Sequence, residues 1–279
     1  MMPNPRVTPG ANVTQTEAGW RLEIPAGPAG QYRLAQLDDY SILPRSRFPL
    51  NAPITLSLRC RISPPSFPPF SPHLTSSRHG IRLGENGEMK GGLPGTWGFG
   101  FWNDPFTVSL GLQGTARRLP VLPNAAWFFH ASAQNHLSFQ NHLPGNGFLA
   151  QSFSSPKIPS LLLASGFLAA PLMLSKTFAK WIRAMAGKII GEDSVSLDVN
   201  PTEWHTYRLR WSAAGVEYFV DGAPVFETAV SPQGPLGLVI WIDNQFAAFT
   251  PTGKVSAGTL ENPLPAWMEI ADLEIGDGR

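Results

Sequence analysis

Every second residue is apolar in many short runs of this chain, and such alternation predicts β-strands that bury one face. The clearest run covers residues 206–211. Its two faces are Tyr207, Leu209 and Trp211 on one side and Thr206, Arg208 and Arg210 on the other. A second run at residues 216–220 ends at Asp221-Gly222, a dipeptide typical of tight β-hairpin turns. We therefore predict antiparallel strands here, with the aromatic face in the core.

Similar short runs extend over most of the 279 residues, and helical periodicity is absent from the first half of the chain. The 28 prolines and 27 glycines fit a chain with many turns between short strands. Strand-like runs lie near both ends, at residues 19–24 and 267–275, which is consistent with pairing of the terminal strands in a closed sandwich. We predict one all-β domain made of residues 1–142 and 192–279.

An insertion predicted at residues 143–191 breaks this strand pattern. Residues 158–175 carry no charge, and their length is near the ~17–25 residues that cross a bilayer, although prolines and a glycine interrupt them. Residues 176–190 have apolar side chains at helical spacing, with the basic residues largely elsewhere. The apolar set is Phe178, Trp181, Ile182, Met185 and Ile189, and the basic set is Lys176, Lys180, Arg183 and Lys188. Residues 158–190 are therefore predicted to be mainly helical and to stay outside the sheets.

Three interpretations of the insertion are open. It is a helical cap packed on the sandwich, a hairpin that dips into or lies on a membrane surface, or a spanning helix. The last is the weakest, because the chain would have to leave and rejoin a single β-domain. The uncharged run at residues 158–175 is what supports contact with a membrane.

Three predicted strands share a face that mixes glycine, aromatic and polar side chains. The three faces are Gly98, Gly100, Trp102 and Asp104; Phe128, His130 and Ser132; and Gly237, Val239, Trp241 and Asp243. Glycine allows a ligand to approach closely, tryptophan offers a flat apolar surface, and carboxylate or imidazole supports hydrogen bonding and proton transfer. This composition suits a sugar-binding cleft. The alternative is a second core layer beneath the insertion, in which Trp102, Phe128 and Trp241 are packing residues.

The cleft hypothesis predicts that four side chains share one face of one sheet: Trp102, His130, Trp241 and Asp243. The candidate catalytic groups are Asp243, His130 and Asp104. The candidate ligand-binding residues are Trp102, Asn103, Phe128, Trp241, Asn244 and Gln245. Asp243 is the leading candidate, because its apolar neighbours should desolvate the carboxyl and raise its pKa.

Structural alternatives exist for the other charged candidates. His130 also fits a hydrogen-bonded interior histidine, and Asp104, which precedes Pro105, also fits a turn-initiating residue. Glu85 and Glu88 are the nearest paired carboxylates, but glycines place them in a turn, where solvated loop charges are expected.

Charge and composition narrow the classes of partner. The net charge is +1 and no basic tract carries interleaved aromatics, so we predict no nucleic-acid partner. The remaining histidines show no metal-ligand spacing, and no phosphate-cradling glycine loop is present, so no metal or cofactor is predicted. These histidines include His73, His79, His136 and His142.

Cys60 is the single cysteine, which excludes an intrachain disulfide, and its place in a strand-like run predicts a small buried hydrophobe. The N-terminus shows no charged region followed by an apolar segment, so no secretory signal is visible and a cytoplasmic location is expected.

One segment carries a family resemblance. The runs Trp204-His-Thr-Tyr-Arg-Leu-Arg-Trp211 and Tyr218-Phe-Val-Asp-Gly222 resemble a pattern of family 16 glycoside hydrolases and related concanavalin A-like domains. The resemblance implies a jelly-roll β-sandwich whose concave sheet holds a sugar. Those hydrolases carry Glu-x-Asp-x-x-Glu on a central strand, and this string does not occur here. No catalytic residue is therefore carried over, and a two-carboxylate retaining mechanism of that arrangement is not expected.

The combined expectation is a concanavalin A-like jelly-roll sandwich with a helical insertion that binds a carbohydrate or another small ligand on its concave face. One alternative is an enzyme that uses the Asp and His candidates as acid and base on a glycosidic or apolar substrate. Another is a domain associated with a membrane surface through residues 158–190.

Overall fold

Two seven-stranded antiparallel sheets face each other in the computed structural model, which describes residues 3–64, 82–83, 89–90, 93, 95–105, 118–165 and 175–277. In chain order the strands are β1 (Asn4–Val7), β2 (Asn12–Gln15), β3 (Gly19–Ile24), β4 (Leu34–Asp38), β5 (Ile54–Ile62), β6 (Arg82–Leu83), β7 (Met89–Lys90), β8 (Thr96–Trp102), β9 (Ala125–Ala131), β10 (Gly147–Ser154), β11 (Gly191–Ser196), β12 (His205–Trp211), β13 (Val216–Val220), β14 (Ala223–Thr228), β15 (Gly237–Asp243), β16 (Gln245–Phe249), β17 (Val255–Thr259) and β18 (Ala266–Asp277). The α-helices of the described residues are α1 (Ser160–Ser165) and α2 (Lys176–Ile189), and a 3-10 helix covers Arg45–Arg47.

The first sheet has the spatial order β1-β4-β15-β8-β9-β10-β11, and the second has the order β14-β13-β12-β5-β18-β3-β2. β3 near the N-terminus pairs with the C-terminal β18, as the terminal strand runs predicted. The predicted all-β sandwich with a helical insertion is confirmed.

The main core fills the space between the two sheets. Aromatic rings from both sheets meet there: the centroid of Tyr207 lies 5.1 Å from that of Phe99 and 5.1 Å from that of Phe128. Cys60 is buried in this core, as predicted, and burial raises the pKa of its thiol. We call the side of the first sheet that faces this core its inner face, and the opposite side its outer face.

The segment at residues 206–222 has the predicted alternation. The three aromatic and aliphatic positions of β12 are buried, while Arg208 and Arg210 are exposed. Asp221 and Gly222 have φ values of 50° and 81°, so both occupy the left-handed region that a type I′ hairpin turn requires. This turn joins β13 to β14, and β12 pairs with both β13 and β5.

The insertion is shorter than predicted. Residues 147–154, inside the predicted insertion at 143–191, form β10, which pairs with β9 and β11 in the first sheet. Six of the eight residues of β10 are buried, because both of its faces are covered, and a strand buried on both faces lacks the alternation used to find strands. The described part of residues 158–190 contains α1 and α2 and no strand, as predicted.

No helix in the described ranges has the length and hydropathy needed to cross a membrane. Some predictions lie outside the described residues and are not taken further. These are the ones that concern His73, His79, Glu85, Glu88 and the middle of the uncharged run, residues 166–174.

Candidate functional site

The outer face of the first sheet carries a block of aromatic rings from three central strands. Trp241 on β15 is directly opposite Gly98 on β8, and Gly98 is opposite Phe129 on β9. The ring of Trp241 stacks on Trp102 at 6.2 Å between centroids and 7° between planes. It also lies 5.7 Å from Phe129 and 5.7 Å from Trp127. Four rings therefore form a continuous aromatic surface on this face.

Gly98 is what allows Trp241 to lie across the sheet. A Cβ atom at this position would come within 2.9 Å of Cη2 of Trp241 and within 2.5 Å of the carbonyl oxygen of Phe128. Gly237 plays the same role for Tyr40, whose Cδ1 lies 2.4 Å from the position of a Cβ there. Glycine and aromatic residues therefore share a face in these strands because the aromatic rings lie over the glycine positions.

His130 and Phe128 do not belong to this face, and the prediction that His130 shares a face with Trp241 is wrong. His130 pairs with Trp97, and the two rings stack on the inner face at 5.4 Å and 8°. Phe128 also points inward, 5.3 Å from Tyr218 of the second sheet. Alternation assigns two faces within one strand, but the pairing register decides which face of the next strand joins them.

Burial also prevents the His130 imidazole from acting as an acid or a base near neutral pH. Its side chain is buried, and desolvation lowers the pKa of His130 to about 4. A neutral imidazole in the core fits the structural alternative better than a catalytic one. Its Nδ1 has no hydrogen-bond partner among the described residues.

Asp243 lies at one end of the aromatic surface and is buried. Its Oδ1 accepts hydrogen bonds from the amide and hydroxyl of Thr96, at 3.2 and 2.8 Å, and from the amide of Gln245 at 3.1 Å. The Tyr32 hydroxyl donates to Oδ2 at 3.4 Å. Burial raises the pKa of Asp243 to about 7, against the lowering effect of these hydrogen bonds. The predicted desolvation of this carboxyl is present.

Asp104 and Asn103 lie at the opposite end of β8, where their side chains bind neighbouring loops. Asp104 is buried, has a left-handed φ of 51°, and forms an ion pair with Arg118. Asn103 donates from Nδ2 to the carbonyl of Leu122 at 2.8 Å and accepts from the amide of Asn124 at 3.0 Å. Because Thr96 pairs with Asp243 and Trp102 pairs with Gly237, Asp104 and Asp243 lie at opposite ends of these strands. The structure does not bring them together.

Asn244 and Gln245 differ in their surroundings. Asn244 is fully buried. Its side chain accepts from the Arg33 amide at 2.8 Å and donates to the carbonyls of Gln31 and Leu260 at 2.9 and 2.7 Å, so it links its own segment to two others. Gln245 is only partly buried and begins β16. Of the two, Gln245 is the one with solvent-accessible surface beside Asp243.

Several polar groups on the outer face were missed by sequence reasoning. Gln36 on β4 is opposite Trp241 and donates to Asp38 at 2.8 Å. Gln151 on β10 accepts from Trp127 Nε1 at 3.1 Å and donates to Glu192 at 3.1 Å. Residues 34–38 lack the alternation that would have assigned Gln36 to one face, because every residue of β4 is buried. Gln151 lay within the predicted insertion.

Much of the outer face is closed. Trp127, Phe129 and Trp241 are 5%, 3% and 8% exposed. The side chains that pack around this surface are Leu34, Tyr40, Phe48, Leu137, Phe139, Phe153, Ala186 and Ile190. Of the residues that the second-core-layer alternative names, Trp241 is packed here together with Trp127 and Phe129, while Phe128 lies in the main core. Trp102, Tyr32 and Gln245 remain partly exposed.

The described residues contain no group of three His, Cys, Asp or Glu side chains arranged to hold a metal ion. The candidate site therefore consists of aromatic rings, the Asp243 carboxyl and its hydrogen-bond donors.

Comparison of the sequence with protein-family models and with curated proteins finds no match. Three similar solved structures are LamAcat from Zobellia galactanivorans (TM-score 0.41, 10% identity, 92% of this chain and 76% of that chain), the β-glucanase of Bacillus licheniformis (0.40, 12%, 96% and 83%) and a legume lectin-like domain from Entamoeba histolytica (0.44, 9%, 99% and 90%). At these TM-scores and identities, no functional residue is carried over from them.

Proposed function

We propose that this protein binds a carbohydrate, without hydrolysing it, on the outer face of the first sheet between Trp102 and Asp243. The observation that carries the proposal is the parallel stack of Trp102 on Trp241 beside a hydrogen-bonded carboxyl. Binding sites for small ligands combine apolar and aromatic walls with a few placed polar groups. A sugar ring needs both, since its C–H groups pack on indole and its hydroxyls need hydrogen-bond partners.

The exposure of these groups suggests how a ligand would enter. Trp102 is the partly exposed member of the stack, and Trp241 lies beneath it with 8% of its surface exposed. At the other end, the partly exposed Tyr32 and Gln245 both contact Asp243. Gly237 and Asp243 are the residues of β15 at the two ends, about 20 Å apart at ~3.3 Å per residue. The site therefore has an aromatic end and a polar end.

Carboxylate geometry favours binding over glycoside hydrolysis. On the described outer face, Asp38 is the acidic residue on the strand next to Asp243. It pairs with Val239, four residues from Asp243, which is about 13 Å along the strand. Two-carboxylate hydrolases hold these groups ~5–5.5 Å apart for retention or ~6.5–9.5 Å apart for inversion. Asp38 is also occupied by the amides of Tyr40 and Ser41.

A second candidate function is acid–base catalysis by Asp243 alone, and the observation that favours it is the raised pKa of this carboxyl, about 7. A group with this pKa can donate a proton near neutral pH. His130 and Asp104 do not support this alternative, because one faces the inner core and the other is paired with Arg118.

Titration calorimetry with a panel of soluble oligosaccharides tests the proposal. We expect Trp102→Ala to weaken the binding of the best ligand about tenfold, the equivalent of ~1.4 kcal/mol. Trp204→Ala is the matched control, since Trp204 is also partly buried but lies beside Arg61 on the second sheet. Equal affinities for the parent and Trp102→Ala, or no binding by any oligosaccharide, would refute the proposal.

Product analysis separates the two functions. After long incubation with a bound oligosaccharide, the parent should release no new reducing ends. If the parent does release them, and Asp243→Asn binds the ligand but releases none, then Asp243 is catalytic and the binding-only proposal is wrong.

A further inference from the structure

α2 exposes three of its large apolar side chains, while Phe178 and Ile182 are partly buried. Trp181, Met185 and Ile189 are 56%, 40% and 40% exposed. These three follow one another at four-residue steps, so they form one stripe along the helix. The buried residues of α2 are Ala179 and Arg183. An amphipathic helix that packs on a core by its apolar side has the opposite orientation.

Arg183 explains how the helix is held in this orientation. Its guanidinium donates to the carbonyls of Ser138 and Phe249, the latter at 2.5 Å, and lies 3.3 Å from Nε2 of His136. Gln140 donates from Nε2 to the carbonyl of Gly187 at 2.7 Å. α2 is thus anchored to the β-domain largely by hydrogen bonds, which leaves its apolar stripe facing outward.

The same segment has a strong charge asymmetry. Residues 155–190 contain five basic residues and no Asp or Glu, in a chain whose total net charge is +1. Four of the five are exposed lysines: Lys157, Lys176, Lys180 and Lys188. The exposed tryptophan, methionine, isoleucine and lysines of α2 make its outward side both apolar and cationic.

We propose that the outward face of α2 docks on an anionic lipid surface. Lysine side chains extend toward lipid headgroups while apolar side chains enter the boundary between headgroups and acyl chains, where tryptophan is favoured. A second copy of this chain is a poorer occupant, because two such faces would bring lysines together. This inference is independent of the carbohydrate proposal, since it uses neither the aromatic surface of the first sheet nor Asp243.

The test is flotation of the full chain with vesicles of phosphatidylcholine alone or of phosphatidylcholine with phosphatidylserine in a three-to-one ratio. We expect binding to the vesicles that contain phosphatidylserine, little binding to the others, and weaker binding at high salt. Lys176→Glu together with Lys180→Glu should weaken binding more than 20-fold, because each lysine near the lipid surface raises the vesicle-binding constant about fivefold. Trp181→Ser together with Met185→Ser should also abolish flotation.

Matched controls lie outside the insertion. Ile42→Ser changes a side chain that is 77% exposed, and Arg47→Glu reverses an exposed charge. Neither should alter flotation. The proposal is overturned if the parent does not bind the anionic vesicles, or if the controls lose binding equally. It is also overturned if Trp181→Ser with Met185→Ser only removes a dimer in sedimentation equilibrium, which would assign the face to a second copy. The substituted residues are exposed, so an unchanged thermal unfolding curve confirms that the variants are folded.

Discussion

Trp241 donates a hydrogen bond from Nε1 to the hydroxyl oxygen of Thr96 at 2.9 Å, and the same hydroxyl donates to Asp243 at 2.8 Å. One threonine therefore connects the aromatic surface to the buried carboxyl across two neighbouring strands. This relay orients Trp241 and satisfies part of the hydrogen-bonding capacity of Asp243.

Removing that hydroxyl should be costly. Thr96→Val keeps the shape of the side chain but leaves the buried indole N–H of Trp241 without a partner and removes one of the hydrogen bonds to Asp243, so we expect a loss of about 1–3 kcal/mol in the free energy of unfolding. Chemical denaturation measures it. Thr96→Ser, which retains the hydroxyl, is the control and should lose less. Equal losses in the two variants would show that the relay does not contribute.

The stability of the protein should fall as the pH rises from about 4 to about 7. Burial raises the pKa of Asp243 to about 7, above the ~3.9 of an unfolded aspartate. The stabilisation that comes from the protonated carboxyl is complete below the unfolded pKa and is lost as the pH rises through the folded pKa. Burial also raises the pKa of Asp39 to about 7, which adds a slope of the same sign.

Unfolding free energies measured between pH 4 and 8 would test this. Asp243→Asn should remove its part of the slope and leave the part that comes from Asp39, and Asp39→Asn should do the reverse. A variant with the slope of the parent would show that the substituted carboxyl has an ordinary pKa.

His130 should have the opposite effect on acid stability. Burial lowers its folded pKa to about 4, so the stabilisation is complete above the unfolded pKa of ~6.5 and is lost as the pH falls toward 4. Because this contribution opposes that of the two aspartates, we expect His130→Phe to make the fall in stability between pH 4 and 6.5 steeper and to leave oligosaccharide affinity unchanged. The slope is the readout, because the larger ring changes absolute stability. Loss of affinity in this variant would restore His130 to the ligand site.

Arg183 should determine whether α2 stays docked. Arg183→Met removes the donor from the carbonyls of Ser138 and Phe249, and the loss at the buried Ser138 carbonyl alone should cost about 1–3 kcal/mol. We expect faster amide hydrogen exchange throughout α2 and little change in β12. Lys180→Met, on the exposed side of the same helix, is the control. If exchange in α2 is unchanged by Arg183→Met, apolar packing and not the arginine holds the helix.

Gly98→Ala should destabilise the sheet, because a Cβ there would lie 2.5 Å from the carbonyl oxygen of Phe128 and 2.9 Å from Trp241. We expect a loss of about 1–3 kcal/mol, typical of an overpacked core position. Gly276→Ala is the matched control, since no described atom lies within 4 Å of a Cβ at that strand position. Similar melting temperatures for the two variants would contradict the close approach of Trp241.

Elements with a local pattern could be predicted from the sequence alone. Tyr207, Leu209 and Trp211 alternate with arginines because only one face of β12 is buried, so their faces were predictable. The hairpin turn at Asp221-Gly222 is determined locally, since both residues adopt left-handed φ angles readily. The helical spacing of Trp181 and Met185 likewise predicted α2. For Asp243, the apolar run of β15 was enough to indicate a desolvated carboxyl.

The way these elements combine depends on pairing between strands that are distant in sequence. The register between β8 and β9 turned His130 toward the core while Trp241 faces outward, and a shift of one residue would have reversed this. β10 is buried on both faces, so its alternation was hidden. The bond between Trp241 and Thr96 spans 145 residues of sequence. Such contacts depend on strand order, and a pattern of hydrophobic residues within one segment carries no information about which strand lies beside it.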